Sequence, residues 1–431
     1  MPDDATDDIL LLRFTGEDRP GLTADLAARL ARQGARVLDI NQAVIHESLL
    51  LGVMVTLPRV SVDREVVLKK VRKAAKRHGL KLKAKRIKPS DYDAWVGRQG
   101  KPRHILTLLT RQLTAAQLAA ATGVIAEQGL NIDVIHRLSG RPPRPRKSET
   151  GAAQGMNTSG GSGASGGGGP CVECWLRGQP ADAEAMHRRF MELSQELDLD
   201  LAWQKDDVYR RMRRMVVFDM DSTLIQAEVI DELAKRAGAG TEVAAITEAA
   251  MRGELDFDQS LARRVATLEG LDESVLAEVA ESLPLTEGAE TLLRHLKAFG
   301  YKTAVLSGGF TYFGRHLQRR LGLDHVHANE LEVKGGKLTG RVVGPIVNGP
   351  RKAALLEELA AAEGIDRRQV VAIGDGANDL PMLGRAGLGI AFHAKPLVRQ
   401  QAEHAVSTLG LDALLYLLGV RDRQRLELPT P

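Results

Sequence analysis

Along the first two hundred residues the hydrophobic and polar positions fall into strand and helix periods, and the pattern repeats. Residues 9–14 form an apolar run of strand length, followed by a polar turn over 15–21 that holds Pro20 and Gly21. Leu22, Leu26 and Leu30 then recur at helical spacing up to Gln33, and Gly34 supplies the stop. Residues 36–45 and 49–57 read as strands, 66–78 as a helix ended by Gly79, and 80–87 as a fourth strand. The order is βαββαβ, a split-βαβ or ferredoxin-like unit. It recurs over 104–110, 114–128, 131–138, 171–177, 182–197 and 199–205, and residues 33–40 align by eye with 128–135. The chain therefore contains an internal repeat.

After residue 214 the pattern changes. Val216, Val217 and Phe218 run straight into Asp219 and Asp221. A continuous apolar run fits a strand buried on both faces of a parallel sheet, and open α/β sheets bind ligands just past such strand ends. Two carboxylates this close repel unless a proton or cation intervenes, and Mg²⁺ takes oxygen ligands. A largely helical stretch to about 283 follows. Inserted between the first two strands of a sheet, it would form a lid that excludes water and carries selectivity. Residues 301–310 form a strand ending in Ser307, Gly308 and Gly309, whose hydroxyl and amides suit phosphate oxygens. Lys352 begins a helical run, against the preference for acids in a first turn. Residues 370–380 form another buried strand that ends in Asp375, Asn378 and Asp379 within a glycine-rich loop. Taken singly, each feature has a plain reading: a turn that holds acids, a glycine favoured by any strand-to-helix turn, a solvated lysine. In order at successive strand ends, they make a site, with a metal held between Asp219 and Asp375.

Composition narrows the class. A chain of 431 residues suggests two to four domains, and 43% apolar residues suffice for several cores. The 59 basic and 55 acidic side chains nearly balance, at +4. Basic clusters at 81–86 and 210–214 have no aromatic platform, so solvated strand ends and a linker are expected, and no nucleic-acid partner. Cys171 and Cys174 lack a second Cys/His pair with zinc spacing and read as ordinary buried thiols. The acidic N-terminal stretch lacks signal-peptide features, and no apolar run reaches membrane-span length, so a cytoplasmic protein without a membrane partner is expected. Residues 140–170 pass from Pro and Arg into Gly, Ser and Ala, a composition expected to form a disordered hairpin insertion in the second repeat.

The two repeats, the first opening with Asp18-Arg-Pro-Gly-Leu22, resemble tandem ACT domains, small modules that bind amino acids and regulate metabolic enzymes. The resemblance implies ligand contacts at Gly21 and Asn41, with Asp39 as a second candidate on that strand. Gly21 would let a ligand approach the backbone, and Asn41 offers both donor and acceptor. The second repeat has no glycine between Thr110 and Thr114 and is not expected to bind alone. Serving only dimerisation is the alternative for both. The expected division is 1–90 and 100–206 as ACT domains and 207–431 as catalytic domain, with a helical cap at about 226–283.

Phe-Asp-Met-Asp-Ser-Thr, Leu-Ser-Gly-Gly-Phe, Lys352 and Gly-Asp-Gly-Ala-Asn-Asp resemble, in order, the four motifs of the haloacid dehalogenase superfamily. The wording from Asp219 to Ala234 is closer still to the phosphoserine phosphatase family. The resemblance implies an α/β fold with a HAD-like Rossmannoid parallel sheet and helical cap, after two ferredoxin-like ACT domains. It implies Mg²⁺-dependent hydrolysis of O-phosphoserine, the last step of serine biosynthesis, with Asp219 as nucleophile and Asp221 as general acid and base. Mg²⁺ would sit on Asp219, the Asp221 carbonyl and Asp375. Ser307, Gly308 and Lys352 would hold the phosphoryl group; Asn378 would bind phosphate or order the loop, and Asp379 would fix Lys352 and the metal shell. Glu228 would pair with the substrate ammonium and Arg264 with its carboxylate, while Met251 and Phe257 seal the pocket. Serine is the expected effector and a homodimer the expected assembly. The competing readings are the same chemistry on another small phosphomonoester or acceptor, such as homoserine, and a catalytically dead amino-acid-binding regulator.

Overall fold

A computed structural model describes residues 8–58, 63–141 and 169–425. The insertion expected at 140–170 lies, from 142 to 168, outside the described residues. Two compact units divide the chain at Lys101 and Pro102.

The first unit holds β1 (Asp8–Glu17), α1 (Leu22–Ala31), β2 (Arg36–Ile45), β3 (Ser48–Leu57), α2 (Arg64–Arg77) and β4 (Lys81–Ile87), with α3 (Pro89–Gln99) after it. Its antiparallel sheet runs β2-β3-β1-β4. Alternate residues of β1, Leu10, Leu12 and Phe14, face the helices and pack with Leu22, Leu26 and Val71. The strand continues three residues into the expected turn. Helix α3 does not follow from the hydrophobic pattern, because its apolar positions are few; Pro89 in its first turn is the start signal that the sequence does carry.

The second unit begins with β5 (Arg103–Leu109), α4 (Ala115–Glu127), β6 (Asn131–Arg137), β7 (Cys171–Arg177), α5 (Ala183–Leu197) and β8 (Asp200–Lys205). Their order, β6-β7-β5-β8, reproduces that of the first unit. Here β5 and β7 are buried almost throughout rather than on alternate residues. Their other face packs on the rest of this unit, with Leu109 and Cys171 in the core of Val216 and Phe218; on β8 the Ser407 and Thr408 amides donate to Asp200 at 2.9 and 2.8 Å, and Gln204 reaches the Leu417 carbonyl at 3.2 Å. The boundary expected at 206/207 is thus crossed by buried contacts. Cys171 and Cys174 are both buried, and burial raises both thiols, Cys174 to about 11, which disfavours the thiolate.

The chain then forms α6 (Val208–Arg211), β9 (Met215–Phe218), α7 (Val229–Ala237), α8 (Gly240–Met251), α9 (Phe257–Ala266), α10 (Ser274–Ser282) and α11 (Ala289–Ala298). It continues through β10 (Lys302–Phe310), α12 (Thr311–Leu321), β11 (His325–Lys334), β12 (Lys337–Val343), α13 (Gly349–Ala362) and β13 (Val370–Gly374). Last come α14 (Leu380–Arg385), β14 (Leu388–Phe392), α15 (Pro396–Gln401), β15 (His404–Val406), α16 (Leu414–Leu417) and α17 (Asp422–Arg425). The basic cluster at 210–214 is not simply a solvated linker, because Arg210 is buried and ion-paired with buried Glu173 of β7.

Seven strands run β12-β11-β10-β9-β13-β14-β15, parallel except for the β11–β12 hairpin. Val216 and Phe218 enter one core while Met215 and Val217 enter the other, so β9 is apolar at every position because both its faces are covered. Phe218 stands level with Val305 of β10 and Ile373 of β13, which brings the three strand ends together. Helices α7 to α10 are the inserted cap, entered and left through the paired residues Ile225 and Leu285. No helix among the described residues is long and apolar enough to cross a membrane.

Candidate active site

The chain leaves β9 at Asp219, whose amide donates to the Ile373 carbonyl at 2.8 Å and so fixes the acid beside the end of β13. Lys352 lies in the first turn of α13, which begins at Gly349 rather than at the lysine. Asn348 caps that helix by accepting from the Arg351 amide, and Pro350 follows; this is a start signal legible in the sequence. The lysine ammonium is fully buried, 2.9 Å from Asp219 Oδ1 and 2.7 Å from Asp379 Oδ1. Burial pulls its pKa down, but the Asp219 and Asp379 carboxylates outweigh that and hold it above the ordinary lysine value.

Asp219, Asp375 and Asp379 offer carboxylate oxygens all within 4.8 Å of one another. Burial, then repulsion from Asp379, raises Asp219 strongly and Asp375 to about 7. Asp375 is oriented by the Thr223 hydroxyl, which donates at 2.9 Å; Thr223 is fully buried and closes the Phe-Asp-Met-Asp-Ser-Thr motif, within which the hydrophobic pattern gives it no role. Three carboxylates around one ammonium leave net negative charge, and their hard oxygens suit a divalent cation. Asp379 is the third carboxylate of the cluster; of Asp221 only the backbone carbonyl is expected at a metal, and its side chain lies outside.

Asp221 turns the other way. Its Oδ1 accepts from the Val229 amide at 2.8 Å and its Oδ2 from the Ser307 hydroxyl at 3.3 Å. Burial first, then the Glu228 charge, pushes its carboxyl up to about 7. The next residue, Ser222, has a left-handed backbone (φ 55), unfavourable for a side chain by about 1 kcal/mol or more. That turn aims its hydroxyl at Glu228 Oε1, 2.8 Å away. Glu228 lines the rim, partly open to solvent yet desolvated enough by its neighbours to raise its carboxyl. Arg264, half-buried on α9, feels Glu228 as its largest opposing charge, whereas Arg263 is exposed.

Ser307 is fully buried at the end of β10, and its Oγ accepts from the Gly309 amide at 2.8 Å. The Gly308 carbonyl is held by Asn329 Nδ2 at 2.8 Å, while Asn329 Oδ1 takes the Val347 amide at 2.9 Å, so this buried asparagine braces the turn. Phe257 lies over Gly308, so close that a β-carbon there would meet its ring at 2.7 Å. Met251 does not help to seal the pocket, being 65% exposed, with its sulfur 3.7 Å from Lys395 Nζ. It ends α8, beyond reach of the buried face. Asn378 is half-buried in the turn after β13.

In the first unit, Gly21 has φ 86 and precedes α1, with open space where a side chain would be. Asn41 is exposed on β2, and the Thr23 hydroxyl donates to the neighbouring Gln42 at 3.0 Å, tying the start of α1 to that strand. In the second unit the matching loop is closed on itself: Thr114 and Gln117 form a reciprocal cap, and Gln117 Nε2 reaches the Leu197 carbonyl at 2.8 Å.

The haloacid dehalogenase-like hydrolase profile matches residues 216–384 and the ACT domain profile residues 8–85. Phosphoserine phosphatase SerB2 of Mycobacterium tuberculosis is 44% identical, over 95% of this chain and 93% of its own length. Phosphoserine phosphatase of Streptomyces coelicolor is 42% identical, over 95% of this chain and 92% of its own. Among solved structures, a probable phosphoserine phosphatase from Vibrio cholerae superposes with a TM-score of 0.54 at 34% identity, over 77% of this chain and 90% of that one. A HAD-family hydrolase from Salmonella enterica serovar Typhi gives 0.59 at 31% identity, over 73% and 98%.

Proposed function

We propose that this chain, which belongs to the phosphoserine phosphatase family of haloacid dehalogenase-like hydrolases, hydrolyses O-phospho-L-serine to L-serine and phosphate. The observation that carries the reading is a phosphoryl-transfer centre with an anion and a cation, Glu228 and Arg264, at its rim. A zwitterionic alcohol fits that pair: Glu228 takes the ammonium, and the planar guanidinium takes the carboxylate.

An Asp219 oxygen attacks phosphorus as the bond from phosphorus to the serine oxygen breaks, which gives an aspartyl-phosphate. The Asp221 proton goes to the departing serine oxygen. Asp221 then takes a proton from water as the water oxygen bonds to phosphorus and the Asp219–phosphorus bond breaks. A carboxyl pushed up to about 7 can fill both roles near neutral pH. Lys352, Ser307 and the Gly308 amide hold the phosphoryl oxygens, with Asn378 beside them. Mg²⁺ fits the charge left over among Asp219, Asp375 and Asp379, with the Asp221 carbonyl as a further ligand. When bound, it neutralises charge on the phosphoryl oxygens.

We further propose that an amino acid such as serine binds the first unit at Gly21 and Asn41, and that the chain is a cytoplasmic homodimer. A panel of phosphomonoesters tests the catalytic reading. Phosphoserine should be among the best substrates, and Asp219→Asn should abolish its turnover; a clear preference for another phosphomonoester would replace phosphoserine in the assignment.

A further inference from the structure

The helix that carries Arg264 is positioned from outside the cap. Beyond α9 the chain runs against the β11–β12 hairpin: the Gly270 amide donates to the Leu338 carbonyl at 2.8 Å, the Leu338 amide to Leu271 at 2.9 Å and the Glu273 amide to Gly336 at 2.9 Å. Asp272 and Lys337 are bridged between these bonds. Leu338, 2% exposed, shares a core with Val265 and Leu268 of the cap. Gly340 has a left-handed backbone (φ 74), and a β-carbon there would stand 3.2 Å from both Cα and O of Ala266, the last residue of α9. At the other end of the helix Asp258 accepts from Asn348 Nδ2 at 3.1 Å. Thus α9 is referenced at one end to the cap of the helix bearing Lys352, and at the other to a hairpin whose first strand pairs with the strand bearing Ser307.

We propose that the β11–β12 hairpin is a specificity-setting brace: it fixes how far the Arg264 guanidinium stands from the phosphoryl centre and so selects a substrate whose carboxylate lies at that span. The inference rests on the reading of Arg264 as the carboxylate partner. Leu338 and Gly340 are positioning residues, since they act through α9. Asp219 and Asp221 follow β9, which does not pair with the hairpin, whereas Asn329 of β11 braces the Gly308 turn; a change confined to β12 and the end of the cap should therefore affect substrate fit before chemistry. Paired guanidinium–carboxylate hydrogen bonds are directional, and small displacements weaken them.

A double-mutant cycle in the full chain, followed by steady-state phosphoserine kinetics, tests this. Gly340→Ala adds the clashing β-carbon and should raise KM about five-fold with kcat changed less than about two-fold. In an Arg264→Ala background the same change should raise KM no further. Glu273→Pro is the second variant: Glu273 has φ −60, which suits proline, and the change removes the amide that reaches Gly336. It should reproduce the KM effect and decides the matter if Gly340→Ala does not fold. An unchanged KM in the foldable variants, or an equal loss with and without Arg264, overturns the brace. If Arg264→Ala itself leaves KM unchanged, the assignment of Arg264 fails, and the brace with it.

Discussion

Asp219 and Asp221 are two residues apart, yet their surroundings give them different chemistry. Asp219 is held against a buried ammonium and two further carboxylates, and Asp221 against a hydroxyl and an amide. On the proposed mechanism, replacing Asp221 by Asn should therefore spare the nucleophile and remove the proton donor. Turnover of phosphoserine should fall about 10²- to 10⁴-fold. With p-nitrophenyl phosphate, whose phenolate leaves unaided, the variant should give a burst of nitrophenol and a phosphoenzyme visible by mass spectrometry; no burst counts against the division of roles. His404 offers a separate titration at the same scale. Burial depresses its pKa from 6.5 to about 3, and its Nδ1 has no hydrogen-bond partner among the described residues. The unfolded chain then holds the extra proton between those values, so the stability tied to neutral His404 is complete above about 6.5 and is lost as pH falls towards 3. His404→Leu should flatten the fall of Tm between pH 6.5 and 4 relative to the unaltered chain, as scanning calorimetry would show.

At the scale of elements, the second βαββαβ unit is joined to α6, the short helix before β9, by a buried ion pair between Glu173 and Arg210. Breaking one side leaves an unpaired buried charge, so Glu173→Ala should cost about 3–5 kcal/mol in chemical denaturation, and a Glu173→Leu/Arg210→Met double variant should recover most of it. A double variant as unstable as Glu173→Ala would show that packing, not the charge, is at stake. This pair also marks what the sequence leaves hidden. The run 216–218 can be read as a two-sided buried strand because every position is apolar, and the acids, hydroxyl and lysine can be placed because each follows a strand or opens a helix. Burial of Arg210, the two-sided cover of β5, and the hairpin against the cap depend on which distant element arrives, and local periodicity does not encode that. Ser222 and Thr223 lie inside the Phe-Asp-Met-Asp-Ser-Thr motif, but the hydrophobic pattern gives them no role for the same reason: a hydroxyl becomes a positioning group only once Asp375 or Glu228 stands in front of it.

For the whole molecule, the question is what the first unit contributes, and β2 frames it. Strand β2 is an edge strand, exposed along nearly all its length, and Val37, Ile40, Val44 and Ile45 are each at least 40% exposed. A long apolar edge with unpaired backbone groups is a template for another strand, and charges, proline or a cover usually blunt it. Arg36 and Asp39 put charges on this strand, but its four large apolar side chains remain open, and a second copy of the chain is the expected cover. Asn41, on this same edge, then lies where pairing and ligand binding meet, and amino-acid binding and self-association should be linked. Sedimentation velocity of the full chain should show a dimer, with Ile45→Lys shifting it towards monomer. Calorimetry should show saturable serine binding that Gly21→Gln weakens, because glutamine is strained at φ 86 and fills the open space there. If Ile45→Lys weakens serine binding as well as dimerisation, the edge and the ligand site act together. A monomer that binds serine unchanged would separate them and leave the edge as packing surface alone.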